Sequence, residues 1–323
     1  MKKTLLAVVA ALAMVGCSQN EIDGIDNGKQ DGRTEIKFSY TPITRATPIT
    51  TSTDFKTFTV SAYDATDLKV STASAVIDGG IFNKNESAVW ESENNKKYYW
   101  PASGTISFFG YNAGTFKKPT ATDKAPTLEY SIEDNITNQK DLVVAQQKET
   151  KADATEGAIT LSFKHALSQV RLKLKGDDYA NLTYTITKIE IYNVFSKGSF
   201  DYDTYATNMT WDTTGETALA TGSGYTIDYS STNKVIDKDT TNGEIELTTA
   251  DEIMILLPQT GTAKIAVTYS IKNSDNAILH NDDVATVIDQ QIAWKAGMKY
   301  EYVLSLAPDE LKISAEDPVA WAE

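Results

Sequence analysis

Few residues in this 323-residue sequence are of the types that usually carry out chemistry in proteins. There is one cysteine, Cys17, and there are two histidines, His165 and His280, which lie far apart in the chain. A lone cysteine forms neither an intrachain disulfide nor a cysteine-based metal site, and neither histidine stands at a metal-ligand spacing. No glycine-rich phosphate loop and no Gly-x-Ser-x-Gly motif occurs. The sequence therefore predicts a protein that is not an enzyme and uses no cofactor. A hydrolase built on paired carboxylates remains an alternative, although no pair stands out.

The single cysteine follows a segment with the features of an export signal. Two lysines near its start precede an apolar run that is too short to span a bilayer about 30 Å thick. The motif Met14-Val15-Gly16-Cys17 then resembles a bacterial lipobox, although Met is less usual than Leu at its first position. We predict a lipoprotein signal peptide over residues 1–16 and a lipid anchor on Cys17, with an ordinary signal peptide as the alternative. The polar residues 17–33 are expected to form a flexible tether.

The clearest secondary-structure signal lies in the middle of the chain. Apolar residues alternate there with positively charged ones, which is typical of a half-buried strand, and similar strand-like segments occur on both sides. Together with the abundance of Thr, Ser, Tyr, Val and Ile, this pattern favours an all-β protein. We interpret a short break at His165 as the join between β-domains at residues 34–158 and 159–323, and His165 itself as a structural residue. The alternating apolar residues are Val170, Leu172 and Leu174.

The first strand-like segment comes immediately after the tether. Its apolar side chains alternate with polar ones and are predicted to share one face: Ile36, Phe38 and Tyr40. The loop that follows is rich in Thr and Pro and contains Arg45, which precedes Ala46. An arginine in such a loop is accessible to a trypsin-like protease. Because any exposed arginine would be accessible, the residues alone leave an uncleaved loop as the alternative.

The last thirteen residues keep a period of two almost to the end of the chain. We expect four of their side chains to lie on one face of a strand: Leu311, Ile313, Val319 and Trp321. Pro318 cannot donate to a β-ladder, so the strand is interrupted there or lies at a sheet edge. Two roles remain open for the tail. It could be an ordinary last strand that pairs within its own domain, or a strand that is donated to a partner. By contrast, the composition of residues 212–243 indicates a long surface loop or an irregular hairpin.

Four short motifs, taken in their order and spacing, resemble the Bacteroidales fimbrillin family, the Mfa-like and FimA-like subunits of type V pili. The resemblance implies two tandem transthyretin-like β-sandwich domains. It also implies cleavage of the Arg45–Ala46 bond, which would remove the lipid anchor together with residues 35–40. The four motifs are Thr44-Arg45-Ala46-Thr47, Tyr99-Trp100-Pro101, Asp141-Leu142-Val143-Val144-Ala145 and Phe163-Lys164-His165-Ala166-Leu167-Ser168-Gln169-Val170.

If the resemblance holds, the chain is a structural subunit of a type V-like fimbria at the cell surface and outer membrane. Loss of the first strand would open an apolar groove, and a strand from another fimbrial subunit, with residues 311–323 as the candidate donor, would fill it. The alternative is a permanently anchored lipoprotein or tip adhesin that binds a glycan or host protein. Trp90 and Trp100 could then be a stacking platform, although such residues more often form the core of a sandwich. The net charge of −14 argues against nucleic-acid binding.

Overall fold

The computed structural model describes residues 33–41, 55–122, 124–248, 253–281 and 283–321. Within these ranges the regular secondary structure is β-strand apart from four short 3₁₀ turns, and there is no α-helix. The described residues from Thr34 onward form one compact unit. The all-β fold that the alternating pattern predicts is therefore confirmed.

The strands are numbered in chain order. Those up to the mid-chain join are Lys37–Thr41 (β1), Thr57–Asp64 (β2), Ala75–Lys84 (β3), Trp90–Ser92 (β4), Thr105–Tyr111 (β5), Thr115–Lys117 (β6), Thr127–Ser131 (β7), Val143–Thr150 (β8), Ala158–Ser162 (β9) and Lys164–His165 (β10). Those that follow are Ser168–Gly176 (β11), Leu182–Tyr192 (β12), Lys197–Asp201 (β13), Trp211–Asp212 (β14), Tyr225–Asp228 (β15), Lys234–Ile236 (β16), Glu244–Glu246 (β17), Met254–Leu256 (β18), Thr260–Asn273 (β19), Ile278–His280 (β20), Thr286–Ala293 (β21), Met298–Ala307 (β22), Glu310–Ala315 (β23) and Val319–Ala320 (β24). The 3₁₀ turns are Glu93–Asn95, Ile136–Asn138, Tyr202–Thr204 and Thr241–Gly243.

A six-stranded sheet with the order β10-β8-β5-β2-β3-β4 is covered on both faces. On one face, Phe58 and Phe108 belong to a core that also includes side chains of the two-stranded sheet β1-β9. On the other face, Phe109 and Tyr111 share a core with the sheet β14-β13-β7-β6. Because both faces are covered, the residues of β5 from Ile106 to Tyr111 are all buried, with no alternation between buried and exposed positions.

The second half contains a sandwich of two sheets. One has the order β17-β11-β22-β23, with β18 and β24 attached, and the other has the order β15-β12-β19-β20, with β16 and β21 attached. Both sheets contribute to a single core. The predicted burial of one face of β11 is confirmed, since three of its side chains are fully buried: Val170, Leu172 and Leu174. Strand β23, in the tail, lies at one edge of its sheet.

Three strand pairings connect the segments on either side of the predicted domain boundary at residues 158/159. Strand β9 pairs with β1, β10 pairs with β8, and β13 pairs with β7. Residues 212–243 also depart from a simple surface loop, because β15 and β16 both pair with β12. Tyr225 and Ile236 are fully buried there. Neither the surface loop nor the irregular hairpin describes this segment, because β15 and β16 lie along β12 and do not pair with each other in the described residues.

Buried tyrosines are expected to make the folded state less stable at high pH. Burial raises the pKa of Tyr130 and of Tyr205 to about 12 each, above the value of about 10 expected in the unfolded chain. The unfolded chain therefore binds fewer protons at high pH, so stability from these groups is complete below pH 10 and is lost as the pH rises toward 12. We expect the tyrosinate absorbance to rise in two steps, with the later step accompanied by unfolding. Tyr130→Phe should reduce the later step, whereas a single step near pH 10 in a folded protein would contradict the prediction.

Candidate functional site

The first strand is attached to the fold along a short segment that runs over the first core. Strand β1 pairs in parallel with β9, from Lys37 opposite Ala158 to Thr41 opposite Ser162. Just before β1, Ile36 N donates to the carbonyl oxygen of Tyr98 at 2.8 Å. In the reverse direction, Trp100 N donates to the carbonyl oxygen of Thr34 at 3.0 Å. Backbone hydrogen bonds therefore hold the beginning of this segment on one side and its strand on the other.

The inward side chains of this segment are anchored among aromatic rings. Ile36 and Phe38 are 4% and 7% exposed, as expected for two members of the predicted apolar face. The Phe38 ring meets the rings of Phe82 and Phe58 edge-on, with centroids 4.6 Å and 5.8 Å apart. Tyr40, the third predicted member, lies opposite Leu161 in the register of β1 and β9. A strand removed from this position would leave an apolar groove and an unpaired edge on β9.

The backbone of Gly157 contacts the beginning of the first strand. Its carbonyl oxygen accepts hydrogen bonds from Lys37 N at 3.0 Å and from Trp100 Nε1 at 3.2 Å. Its φ of +81° is in the left-handed region, and a Cβ at this position would lie 2.2 Å from the carbonyl oxygen of Glu35. Only glycine fits such a close backbone approach. No sequence motif pointed to this residue, because its role depends on a strand about 120 residues earlier in the chain.

A cavity of about 400 Å³ lies beside the first strand, and Ala158 at the start of β9 is among the residues that line it. Phe38 and Phe82 line it, together with Trp90 and the half-exposed Val89 of the β4 region. Among the described residues, β9 is the one strand that pairs with β1. The first strand therefore has one paired edge, and an open, partly apolar space lies next to its first residues. This arrangement can hold an extended segment and can also admit another one alongside it.

The C-terminal tail is paired within its own subunit. Strand β23 pairs antiparallel with β22, with Leu311 opposite Leu306 and Ile313 opposite Leu304, and both tail side chains are half-buried. Strand β24 continues along β22 after Pro318 interrupts the ladder. The environments of the four predicted residues differ, because Val319 is 58% exposed whereas Trp321 is 3% exposed. In the isolated chain, therefore, the tail pairs with β22 of the same subunit.

A buried acid–histidine pair lies at the join. The side chains of Asp141 and His165 share a hydrogen bond at 2.5 Å between Oδ2 and Nδ1. Burial raises the pKa of the Asp141 carboxyl, and the neighbouring imidazole opposes that rise. The indole of Trp321 stacks on the His165 ring, with centroids 4.6 Å apart and planes 4° from parallel. The prediction that His165 is a hydrogen-bonded structural residue is confirmed, but its partner was not predicted.

The remaining predicted site residues lie outside the described part of the chain: Cys17, Arg45 and Ala46. Within the described part, no group of three or more His, Cys, Asp or Glu side chains could hold a metal ion. Among the same residues, no helix is long and apolar enough to cross a bilayer. Trp90 and Trp100 are 7% and 3% exposed, which confirms that these aromatic residues are part of the core.

These features define an all-β sandwich protein with a peripheral first strand over an apolar groove and a C-terminal strand at a sheet edge. A sequence model of fimbrillin-like proteins matches residues 44–316, and the chain belongs to this family. The resemblance noted from the four motifs is therefore confirmed. The chain is also 25% identical to the fimbrium subunit Fim1C of Phocaeicola vulgatus, over 99% of this chain and 97% of that protein.

The fold is similar to a crystal structure of a fimbrial protein from Bacteroides vulgatus, with a TM-score of 0.66 at 16% identity. The similarity covers 90% of this chain and 99% of the other, so the two proteins share the same fold over the matched residues. The relatives found are fimbrial proteins rather than enzymes, in agreement with the expectation that this chain is not an enzyme.

Proposed function

We propose that this chain is a structural subunit of a cell-surface fimbrium and that it assembles by exchanging its first strand for a strand of a neighbouring subunit. Family membership and the full-length similarity to a fimbrium subunit support the first part. The second part rests mainly on the first strand itself. Its inward side chains, Ile36 and Phe38, are buried over an aromatic groove, and an open cavity lies next to them.

Export as a lipoprotein and cleavage after Arg45 would prepare the subunit for this exchange. A lipid on Cys17 would hold the precursor at the outer membrane. Strand β1 ends at Thr41, and the described chain resumes at Phe55 just before β2. A cut between Arg45 and Ala46 would leave the first strand attached by non-covalent contacts alone. It could then leave together with the anchor.

The tail is our candidate for the incoming strand, through Leu311, Ile313, Val319 and Trp321. It is an edge strand with one pairing partner, β22, and two of its apolar side chains are only half-buried. Main-chain hydrogen bonds to the groove edges would replace those lost with β1, and alternate side chains would fill the apolar pockets. Each subunit would donate a tail and accept another. Because such a head-to-tail contact does not close on itself, it produces a filament.

An anchored lipoprotein or tip adhesin that binds a glycan or host protein remains the second candidate. Trp90 and Trp100 are both buried in the first core, so they do not offer a surface on which a sugar ring could stack. An adhesin could still use the same assembly chemistry. We therefore place the tip role behind the role of a fimbrial subunit that polymerises.

The N-terminal residue of the assembled protein tests this proposal. We expect subunits isolated from fimbriae to begin at Ala46 and to carry no lipid. The Arg45→Ala variant should retain its acylated N-terminus and remain unassembled, because β1 still occupies the groove. Arg33→Ala is the matched control, since a cut at Arg33 would leave β1 attached and its loss should change nothing. Assembled subunits that begin at an acylated Cys17 would contradict the proposal.

A further inference from the structure

One side chain of the C-terminal tail has an environment unlike the rest. The side chains of β23 are half-buried or exposed, Lys312 is 67% exposed and Val319 is 58% exposed. Trp321 is 3% exposed, although it lies beyond the last strand of the described chain. Its backbone N donates to the carbonyl oxygen of Gly297 at 2.5 Å. The end of the tail is thus the part that is most deeply inserted.

Trp321 packs against residues at or near the join between the two halves of the chain, and we call this site its seat. The indole lies parallel to the His165 ring, and the hydrogen bond between His165 Nδ1 and Asp141 Oδ2 orients that ring. His165 lies on β10, which pairs with β8 of the first sheet. Gly297 completes the seat, because its N donates to the carbonyl oxygen of Leu167 at 2.8 Å while its oxygen accepts from Trp321. The last described residue of the chain therefore rests on the segment that connects the two halves.

Three polar atoms in this seat have no hydrogen-bond partner among the described residues. They are Asp141 Oδ1, His165 Nε2 and Trp321 Nε1, and all are buried from solvent. Burying a polar atom without a partner is unfavourable, whereas burying the apolar surface of an indole is favourable. When the indole moves out of the seat, water can reach all three atoms, and their hydration offsets part of the free-energy cost of opening. The seat is therefore closed by packing yet is easier to open than an ordinary apolar core.

We propose that Trp321, seated on His165, is a latch that keeps the tail paired with β22 of its own subunit before assembly. This inference rests on the proposed function, in which the tail is later donated to a neighbour. While the latch is closed, the tail is held at β23 by the ladder and at its end by the indole. Opening the latch frees the end first, and the pairing of β24 and then of β23 with β22 can separate progressively from Ala320 toward Glu310.

Tail opening in the full-length monomer tests the latch. We expect Trp321→Ala to accelerate amide hydrogen exchange in β23 and tryptic cleavage after Lys312 at least tenfold, without a matching change in β12 or β19. Val319→Ala is the matched control, because its side chain lies on the same tail but is exposed. Trp321→Phe keeps an aromatic ring for stacking and should retain most of the protection.

A double-mutant cycle connects the effect to the seat. His165→Ala should open the tail as Trp321→Ala does, and the double variant should open it little more than either single one. Additive effects, or tail exchange in Trp321→Ala that equals the Val319→Ala control, would overturn the latch. Assembly is scored separately. A tail that opens faster but never enters a neighbour would support the latch while overturning the donor role of the tail.

Discussion

A chain that lacks its first strand is expected to lose several kcal/mol of stability and to regain them when a peptide of residues 34–41 is added. Truncation of a buried Phe or Ile costs about 3–5 and 2–5 kcal/mol respectively, and each unpaired backbone group adds about 1–3 kcal/mol. Ile36 and Phe38 are both buried, and the segment also carries the hydrogen bonds to Tyr98, Trp100 and β9. Because whole domains are stable by only about 5–15 kcal/mol, the first half should melt early without the strand.

Thermal unfolding with and without the peptide measures this effect. A Phe38→Ala peptide should fail to restore the melting temperature, since it lacks the ring that contacts Phe82 and Phe58. A Lys37→Ala peptide is the control, because the Lys37 side chain points away from the core and is exposed. A truncated chain that melts with the intact protein would show that the groove does not need a strand, and strand exchange would then have no driving force.

The second large effect is expected at the tail. Replacing both Leu311 and Ile313 by Asp should reduce assembly by at least about a hundredfold, which corresponds to about 3 kcal/mol, because charges would enter an apolar groove. The same change should affect the monomer less, since both side chains are only half-buried on β22. Filament formation by processed subunits, measured by light scattering and electron microscopy, would show the difference.

The matched control for the tail uses the opposite face of the same strand. Lys312 and Ser314 are exposed in the monomer, and the Lys312 ammonium forms an ion pair with Glu310 at 2.6 Å. Lys312→Ala together with Ser314→Ala should leave assembly nearly unchanged. Normal assembly of the Asp variant, with a monomer as stable as the wild type, would exclude residues 311–313 as the donor strand.

Alternation of side chains made much of this fold predictable. A strand with one solvated face must repeat every two residues, and β1, β11 and β22 all show that pattern in their burial. Strands β15 and β16 were less evident because they are short and lie within a polar segment. Their buried residues, Tyr225 and Ile236, stand among Thr, Ser, Asp and Asn, so composition outweighed the few apolar positions.

The order of four motifs was enough to identify the family, and the apolar face of the first strand was evident from Ile36 and Phe38. Both are local properties of the chain, so no long-range contact was needed to find them. Only the tertiary structure shows which strands pair, because the two partners are often far apart in the sequence and no local pattern links them. The backbone of Gly157 contacts a segment about 120 residues earlier in the chain, and the Trp321 ring stacks on His165 at the join. Period and composition describe which side chains are buried, but not which distant partner buries them.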